Sequence, residues 1–346
     1  MPQKLIFIFP GQASQYVGMG LDLYEDSAAA RSVMDKITRS DELKHIPELC
    51  FYGPEDLLTR TDNVQPAITA VSLMALAAVR EAAGNDPGLA TPFACAGHSL
   101  GEYAAHTAAG NILNELTMKL VRFRGKWMNE VSQPPNPPGA MVAIMGMKLE
   151  AVENLVGQIK DKNVGIANIN SPGQFILSGE KDAVEKASEL AMKAGAKRCV
   201  MLNVSGAWHS PLMNSAREMM GKLLSDEITT EKVNVAEKPF VVANATADIV
   251  RNVTDMRKTL TDQITSPVKW EACVRRLIEL SGYPGLPSEL TEEEKNKHTH
   301  APLFVEVGPG KVLKGLMKGI DRKLDVMNVE DMDGVRELIE LRKDER

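Results

Sequence analysis

Short apolar runs alternate with longer stretches of helical periodicity along the whole chain, the habit of an α/β protein with a mostly parallel sheet. Leu5–Phe9 is predicted as the first strand, and it ends in the turn chemistry of Pro10-Gly11-Gln12. Helices are predicted over Ala28–Thr38 and Gln65–Ala83, the second apolar on nearly every face, as a core helix would be. A second strand, Phe93–Ala96, runs into Gly97-His98-Ser99-Leu100-Gly101. Between residues 139 and 204 the predicted order is strand, helix, strand, strand, helix, strand: Met141–Met145, Glu150–Ile159, Val164–Asn170, Gln174–Ser178, Lys181–Ala194 and Arg198–Val204. This is the order of a ferredoxin-like split βαβ unit. The connection into it, Gln133-Pro134-Pro135-Asn136-Pro137-Pro138-Gly139, is too rich in proline to be helical and suits a domain junction. A small domain of residues 133–204 is therefore expected inside a larger one of residues 1–132 and 205–346. The larger domain resumes with a helix near Pro211–Leu224, strand-like Phe240–Ala243, a helix near Trp270–Leu280 and strand-like Leu303–Val307. Gly282–His300, with Pro284, Pro287 and a run of charges, is expected to be an exposed loop, and the tail after Asp331 a charged helix.

Length and composition agree with this division. The 346 residues are enough for two domains, and 44% hydrophobic with 25% charged residues excludes a disordered or coiled-coil chain. Lys+Arg 40 against Asp+Glu 46 leaves a net charge of −6, which speaks against the basic footprint of a nucleic-acid binder. No window approaches the ~18 consecutive apolar residues of a membrane span, and Met1-Pro2-Gln3-Lys4 passes at once into a strand-like run instead of a signal peptide. A soluble cytoplasmic protein, with neither nucleic acid nor membrane as partner, is expected. Cys50, Cys95, Cys199 and Cys273 lie far apart with no histidine at metal-ligand spacing, and are expected to be reduced and buried. His298 and His300 stand close enough to share a metal, but with no further ligand nearby a solvated loop is the favoured reading.

Gly97-His98-Ser99-Leu100-Gly101 fits G-x-S-x-G, the elbow in which a sharp strand-to-helix turn thrusts a serine outward. The context fits too. An apolar strand precedes the motif, a helix opens at Glu102-Tyr103-Ala104-Ala105-His106, and the small residues Ala94, Ala96 and Ala104 leave room for a tight turn. Free N–H groups at that helix start, including the one on Leu100, are placed to hold an oxyanion. The bland alternative is an ordinary glycine-rich turn. A serine nucleophile needs a base, and of the six histidines His209 stands out, because it follows a predicted strand and precedes Ser210-Pro211, an N-cap and N1 pair. The alternative there is an exposed histidine beside a helix cap.

Arg124 breaks a pattern. On the predicted helix Leu116–Met128, 100° steps put Leu116, Leu120, Val121, Phe123, Trp127 and Met128 on one broad face, with Lys119, Arg122 and Lys126 opposite. Arg124 falls in the middle of the apolar face. A guanidinium there must find an anion or several acceptors, and it is either part of a structural ion pair or the holder of a substrate carboxylate in a bidentate grip.

In order along the chain, Phe9-Pro10-Gly11-Gln12, Gln65-Pro66-Ala67, Gly97-His98-Ser99-Leu100-Gly101-Glu102-Tyr103, Arg124-Gly125-Lys126-Trp127-Met128, Asn170-Ser171-Pro172, Trp208-His209-Ser210 and Glu306-Val307-Gly308-Pro309-Gly310 resemble the motifs of the malonyl-CoA:acyl carrier protein transacylases. The resemblance implies an α/β fold with an α/β-hydrolase-like large domain, built on a parallel sheet, and an inserted ferredoxin-like small domain. It also implies Ser99 as nucleophile, His209 as its base, Arg124 as partner of the malonyl carboxylate, and the N–H groups of Gln12 and Leu100 as the oxyanion hole. Gln263 matches the family residue whose main-chain carbonyl orients the histidine. The implied partners are malonyl-CoA as substrate and an acyl carrier protein, in fatty acid or polyketide synthesis, with no metal or other cofactor and a monomeric protein. Lys311, Lys314, Lys318, Arg322 and Lys323 are candidates to meet an acidic carrier, against the plainer reading of a solvated helix face. Two departures stand out: Ala13 replaces a usual second glycine, and Trp208 replaces a common phenylalanine. A serine hydrolase with the same Ser-His pair is the alternative enzyme, although its histidine would ordinarily come late in the chain. A catalytically silent module that only docks a carrier is the alternative outside enzymes.

Overall fold

The computed structural model describes residues 3–84, 86–159, 163–235, 237–297 and 300–344. Its strands are β1 Leu5–Phe9, β2 Ala94–Gly97, β3 Gly139–Met145, β4 Val164–Ser171, β5 Gln174–Glu180, β6 Arg198–Met201, β7 Phe240–Val241, β8 Leu303–Val307 and β9 Val326–Val329. One sheet is parallel throughout, in the order β7-β2-β1-β8-β9. Its middle strands are buried on both faces, as their unbroken apolar runs require. Side chains alternate across β1: Leu5, Phe7 and Phe9 join the core around the helix Thr61–Ala82, while Ile6 and Ile8 join the core around the helix Trp270–Leu280. The helix Thr61–Ala82 has the length and apolarity to cross a membrane, yet 83% of its most apolar window is buried within the fold.

The segment between residues 139 and 201 forms a second, antiparallel sheet in the order β4-β5-β3-β6. The helices Leu149–Gln158 and Lys181–Lys193 cover one of its faces, packing Val152, Leu155, Val184 and Ala187 onto Val142, Ile144, Phe175 and Leu177. The opposite face sends Met141, Ala143, Ala167 and Ile176 into the core of the parallel sheet. A direct strand-like contact also joins the two regions, since Ile169 donates to the Val268 carbonyl at 2.9 Å and Val268 donates to the Ala167 carbonyl at 2.8 Å.

Several expectations need correction. The edge strand β6 stops at Met201: it pairs with β3 alone, and after one further bond from Leu202 N–H to the Met141 carbonyl the chain closes on itself from Val204 N–H to the Leu202 carbonyl. Gly282–His300 is not simply an exposed loop. Tyr283 and Leu286 are buried in the second core, and a helix, Glu292–Lys297, starts at a capping box in which Glu294 N–H donates to Thr291 Oγ1 and Thr291 N–H to Glu294 Oε2. His300 is exposed, and His298 lies outside the described residues. The edge strand β9 carries a pattern too brief for periodicity to separate from a loop, whereas the helix Val312–Ile320 agrees with the helix-face reading of its lysines. All four cysteines are free thiols, but Cys199, on the edge strand, is only partly buried. Trp270 is fully buried at the start of its helix and sets its ring edge-on to His98, with centroids 5.6 Å apart. Trp270→Ala should cost about 3–5 kcal/mol of stability in denaturant unfolding; a loss under 1 kcal/mol would show that this core collapses around the vacancy.

Candidate active site

The chain leaves β1 and β2 side by side at their carboxyl ends, the edge of an open parallel sheet where ligands bind. The two exits are crowded. A Cβ on Gly97 would run into the Gly101 carbonyl, one on Gly101 into the Phe9 carbonyl, and one on Gly11 would come to 2.5 Å from the His98 oxygen. Glycine at these positions lets the turn close, and Ser99 is held at φ 51°, in the left-handed region. The helix Gly101–Ala108 begins immediately after it. The N–H groups of Leu100 and Gln12 donate to no other group among the described residues.

His209 arrives 110 residues later in sequence, and its Nε2 lies 2.7 Å from Ser99 Oγ. Its Nδ1 is 2.8 Å from the Gln263 carbonyl. A carbonyl only accepts, so Nδ1 carries the proton and Nε2 faces the serine with a free lone pair. The alternative of an exposed histidine is overturned: His209 is 6% exposed, at φ 61°, between the buried Trp208 and Ser210, whose Oγ donates to the Ala207 carbonyl. Burial lowers its pKa to about 3, and the Arg124 charge pushes the same way, so the ring is neutral near pH 7.

Arg124 sits on the helix Asn114–Val131, longer than expected, with Thr117, Val121 and Met128 buried along the same face. Gly125 lets this helix press against Thr61–Ala82, since a Cβ there would come to 2.8 Å from the Thr61 carbonyl. The guanidinium, 0% exposed, donates from Nη1 to Gln65 Oε1 at 2.7 Å, and from Nη2 to Ser99 Oγ at 3.0 Å and Gln263 Oε1 at 3.1 Å. Its Nε has no partner, and among the described residues no carboxylate lies within 4.0 Å. Arg124 thus makes no contact ion pair among the described residues, and the buried Glu102 acts on its charge only from farther away, alongside Tyr103.

The chain also matches known proteins. A model described as an acyl transferase domain fits residues 6–283. The malonyl CoA-acyl carrier protein transacylase of Bacillus subtilis strain 168 is 37% identical over 99% of this chain and 98% of its own length; that of Haemophilus influenzae is 35% identical over 95% and 96%. Among solved structures, a malonyl-transacylase in complex with the acyl-carrier protein of a type II PKS superposes with a TM-score of 0.83 at 31% identity, covering 98% of this chain and 99% of that one. The Helicobacter pylori transacylase superposes with a TM-score of 0.82 at 29% identity, covering 99% of both chains. This chain belongs to the malonyl-CoA:acyl carrier protein transacylase family.

All six residues expected of a member of that family, Gln12, Ser99, Leu100, Arg124, His209 and Gln263, lie on the segments that converge here. Sequence reasoning missed three more. Gln65 anchors the guanidinium, and Glu102, fully buried, accepts from Asn244 N–H at 2.9 Å and Gln263 Nε2 at 2.7 Å. Burial raises the Glu102 pKa to about 7 against those hydrogen bonds. Asn244 had one available signal, its place directly after the strand-like run Phe240–Ala243. His98 is turned away from the pair and braced by Asn170 Oδ1 at 2.9 Å.

Ala13 explains its own oddity. It sits at φ 79°, where a Cβ is disfavoured and glycine is at ease, beside the Gln12 N–H. Ala13→Gly should raise stability by about 0.5–1 kcal/mol, the strain relieved outweighing the added freedom of the unfolded chain. Thermal unfolding of the variant checks this, and a fall in stability would mean that the left-handed residue carries no strain.

Proposed function

We propose that this protein moves a malonyl group from coenzyme A to the phosphopantetheine thiol of an acyl carrier protein, through a malonyl ester on Ser99. The observation that carries the reading is the meeting of His209 and the unpaired Arg124 on the single atom Ser99 Oγ. Ser99 Oγ attacks the thioester carbonyl while its proton passes to His209 Nε2. The N–H groups of Gln12 and Leu100 receive the developing oxyanion, and coenzyme A leaves with the proton from His209. The carrier thiol then gives its proton to His209 and attacks the malonyl ester, and Ser99 recovers its hydroxyl proton as the ester breaks. Gln263 holds the imidazole through its carbonyl, so the base is set by a neutral acceptor and the pair is a dyad. Malonate's free carboxylate stands one methylene from the reacting carbonyl, close enough for the guanidinium beside Ser99 to meet it.

The family and the superposed carrier complex support an acyl carrier protein as partner. Lys318, Arg322 and Lys323 are exposed on the return from β8 to β9, which supports a cationic surface for that partner, while Lys311 is engaged by Glu330 at 2.8 Å. We read the fold as an α/β-hydrolase-like domain carrying a ferredoxin-like insertion, supported by the parallel sheet and by the strand order of the antiparallel one. We also read it as a cytoplasmic monomer that needs no cofactor. A hydrolase would use the same Ser-His pair, but a buried cation without a carboxylate is an expensive neighbour for an uncharged acyl chain.

Incubation with malonyl-CoA alone should leave one malonyl group per chain, mapped to Ser99 by peptide mass, and Ser99→Ala should abolish it. An adduct that persists, or maps to a cysteine, rejects the nucleophile. Arg124→Ala should lower the ratio of kcat/KM for malonyl-CoA over acetyl-CoA by roughly 30- to 1,000-fold, the value of a charge-assisted contact, with Arg124→Lys between. An unchanged ratio would detach Arg124 from substrate choice.

A further inference from the structure

The elbow that carries Ser99 is closed from outside by one side chain, that of Asn244. Its Nδ2 donates to the Gly97 carbonyl at 2.7 Å, and its Oδ1 accepts from Ser99 N–H at 2.6 Å. It thus grips the residues on both sides of His98 and spans the turn that forces Ser99 into its left-handed conformation. Asn244 is itself 0% exposed and held by its backbone, donating to Glu102 Oε2 and accepting from Lys269 N–H at 3.2 Å. Glu102 Oε2 also receives Gln263 Nε2, and the same Nε2 donates to the Ser99 carbonyl at 3.0 Å. The clamp on the serine and the support of the histidine therefore share one carboxylate oxygen.

Resting on the reading of Ser99 as nucleophile, we infer that Asn244 is a positioning residue that clamps the elbow and aims Ser99 Oγ. Two consequences follow from the geometry. The left-handed backbone at Ser99 is unfavourable by itself, so the two hydrogen bonds to Asn244 offset its strain. Ser99 N–H is also consumed by Oδ1, so it is not free to hold an oxyanion, whereas the N–H groups of Leu100 and Gln12 donate to no other group among the described residues.

Asn244→Ala should lower kcat for malonyl transfer by about 30- to 300-fold while KM changes less than about threefold, because aim is lost and substrate contacts are not. Inactivation by phenylmethylsulfonyl fluoride, which reacts with an aimed serine and has no carboxylate for Arg124, should slow by a similar factor. Loss of malonyl transfer with unchanged inactivation would overturn the proposal, as would an unchanged kcat. Asn244→Asp keeps the side chain's size and provides the test if the alanine variant fails to fold. In its acid form it can still donate to Gly97 and accept from Ser99; ionised, it can only accept. Around that position the titratable groups are Glu102, Cys273, Lys269 and His98, with His209 and Arg124 one residue further through Gln263. The ratio of its kcat to wild type should therefore fall as pH rises between about 5 and 8. A uniform loss at every pH would assign Asn244 to structure alone. Ser99→Ala, run in parallel, separates the two ideas: persistence of the malonyl adduct there rejects the nucleophile itself, whereas its loss with Asn244→Ala still active rejects only the clamp.

Discussion

The backbones leaving β1 and β2 pass so close that no side chain fits between them at Gly11 or Gly101, and the elbow folds so tightly on itself that none fits at Gly97. Everything else at the site follows from that approach. It turns the chain sharply enough to lift Ser99 out of the sheet, starts a helix directly behind it, and brings the loop at Gly11 against His98. A single Cβ at any of these glycines would push the loops apart and dissolve the arrangement.

The approach creates strain, and polar groups recruited from far along the chain contain it. Ala13, Ser99 and His209 all hold left-handed backbones without being glycine, and all three belong to this one site. Gln263 uses its carbonyl on His209, its amide nitrogen on Ser99 and Glu102, and its amide oxygen on Arg124. One neutral residue thus positions the base, the turn and the cation together. The electrostatics are set by burial. It keeps His209 neutral, as a base must be, and leaves Arg124 as a charge whose acceptors here are all uncharged. The second sheet serves the same centre from another side, through Asn170 on His98 and the β4 contact at Val268.

Much of this was legible in the chain. The strands β1 and β8 announced themselves as unbroken apolar runs, and the helix Trp270–Leu280 was expected with its observed bounds. The order of elements between residues 139 and 204 predicted the antiparallel sheet, since each period was long enough to read. Arg124 stood out because a charge in an apolar stripe violates helical periodicity. Ser99 was legible through its glycines, whose spacing marks a turn that only a small residue can make. The segment Gly282–His300 was misread because proline and charge hid its two buried side chains and its capping box.

Local pattern thus determined which elements form, which faces are apolar and which residues could not be ordinary. It did not determine who meets whom. That His209 is buried and neutral, that Gln263 binds four partners, and that Asn244 and Glu102 belong to the site at all were decided by tertiary structure. The physical reason is that these are polar contacts between segments 54 to 164 residues apart, each worth making only because the others remove water from the same space. A run of hydrophobic residues carries its periodicity in its neighbours, whereas a single buried asparagine or glutamine has no periodicity, and only the fold supplies its partner.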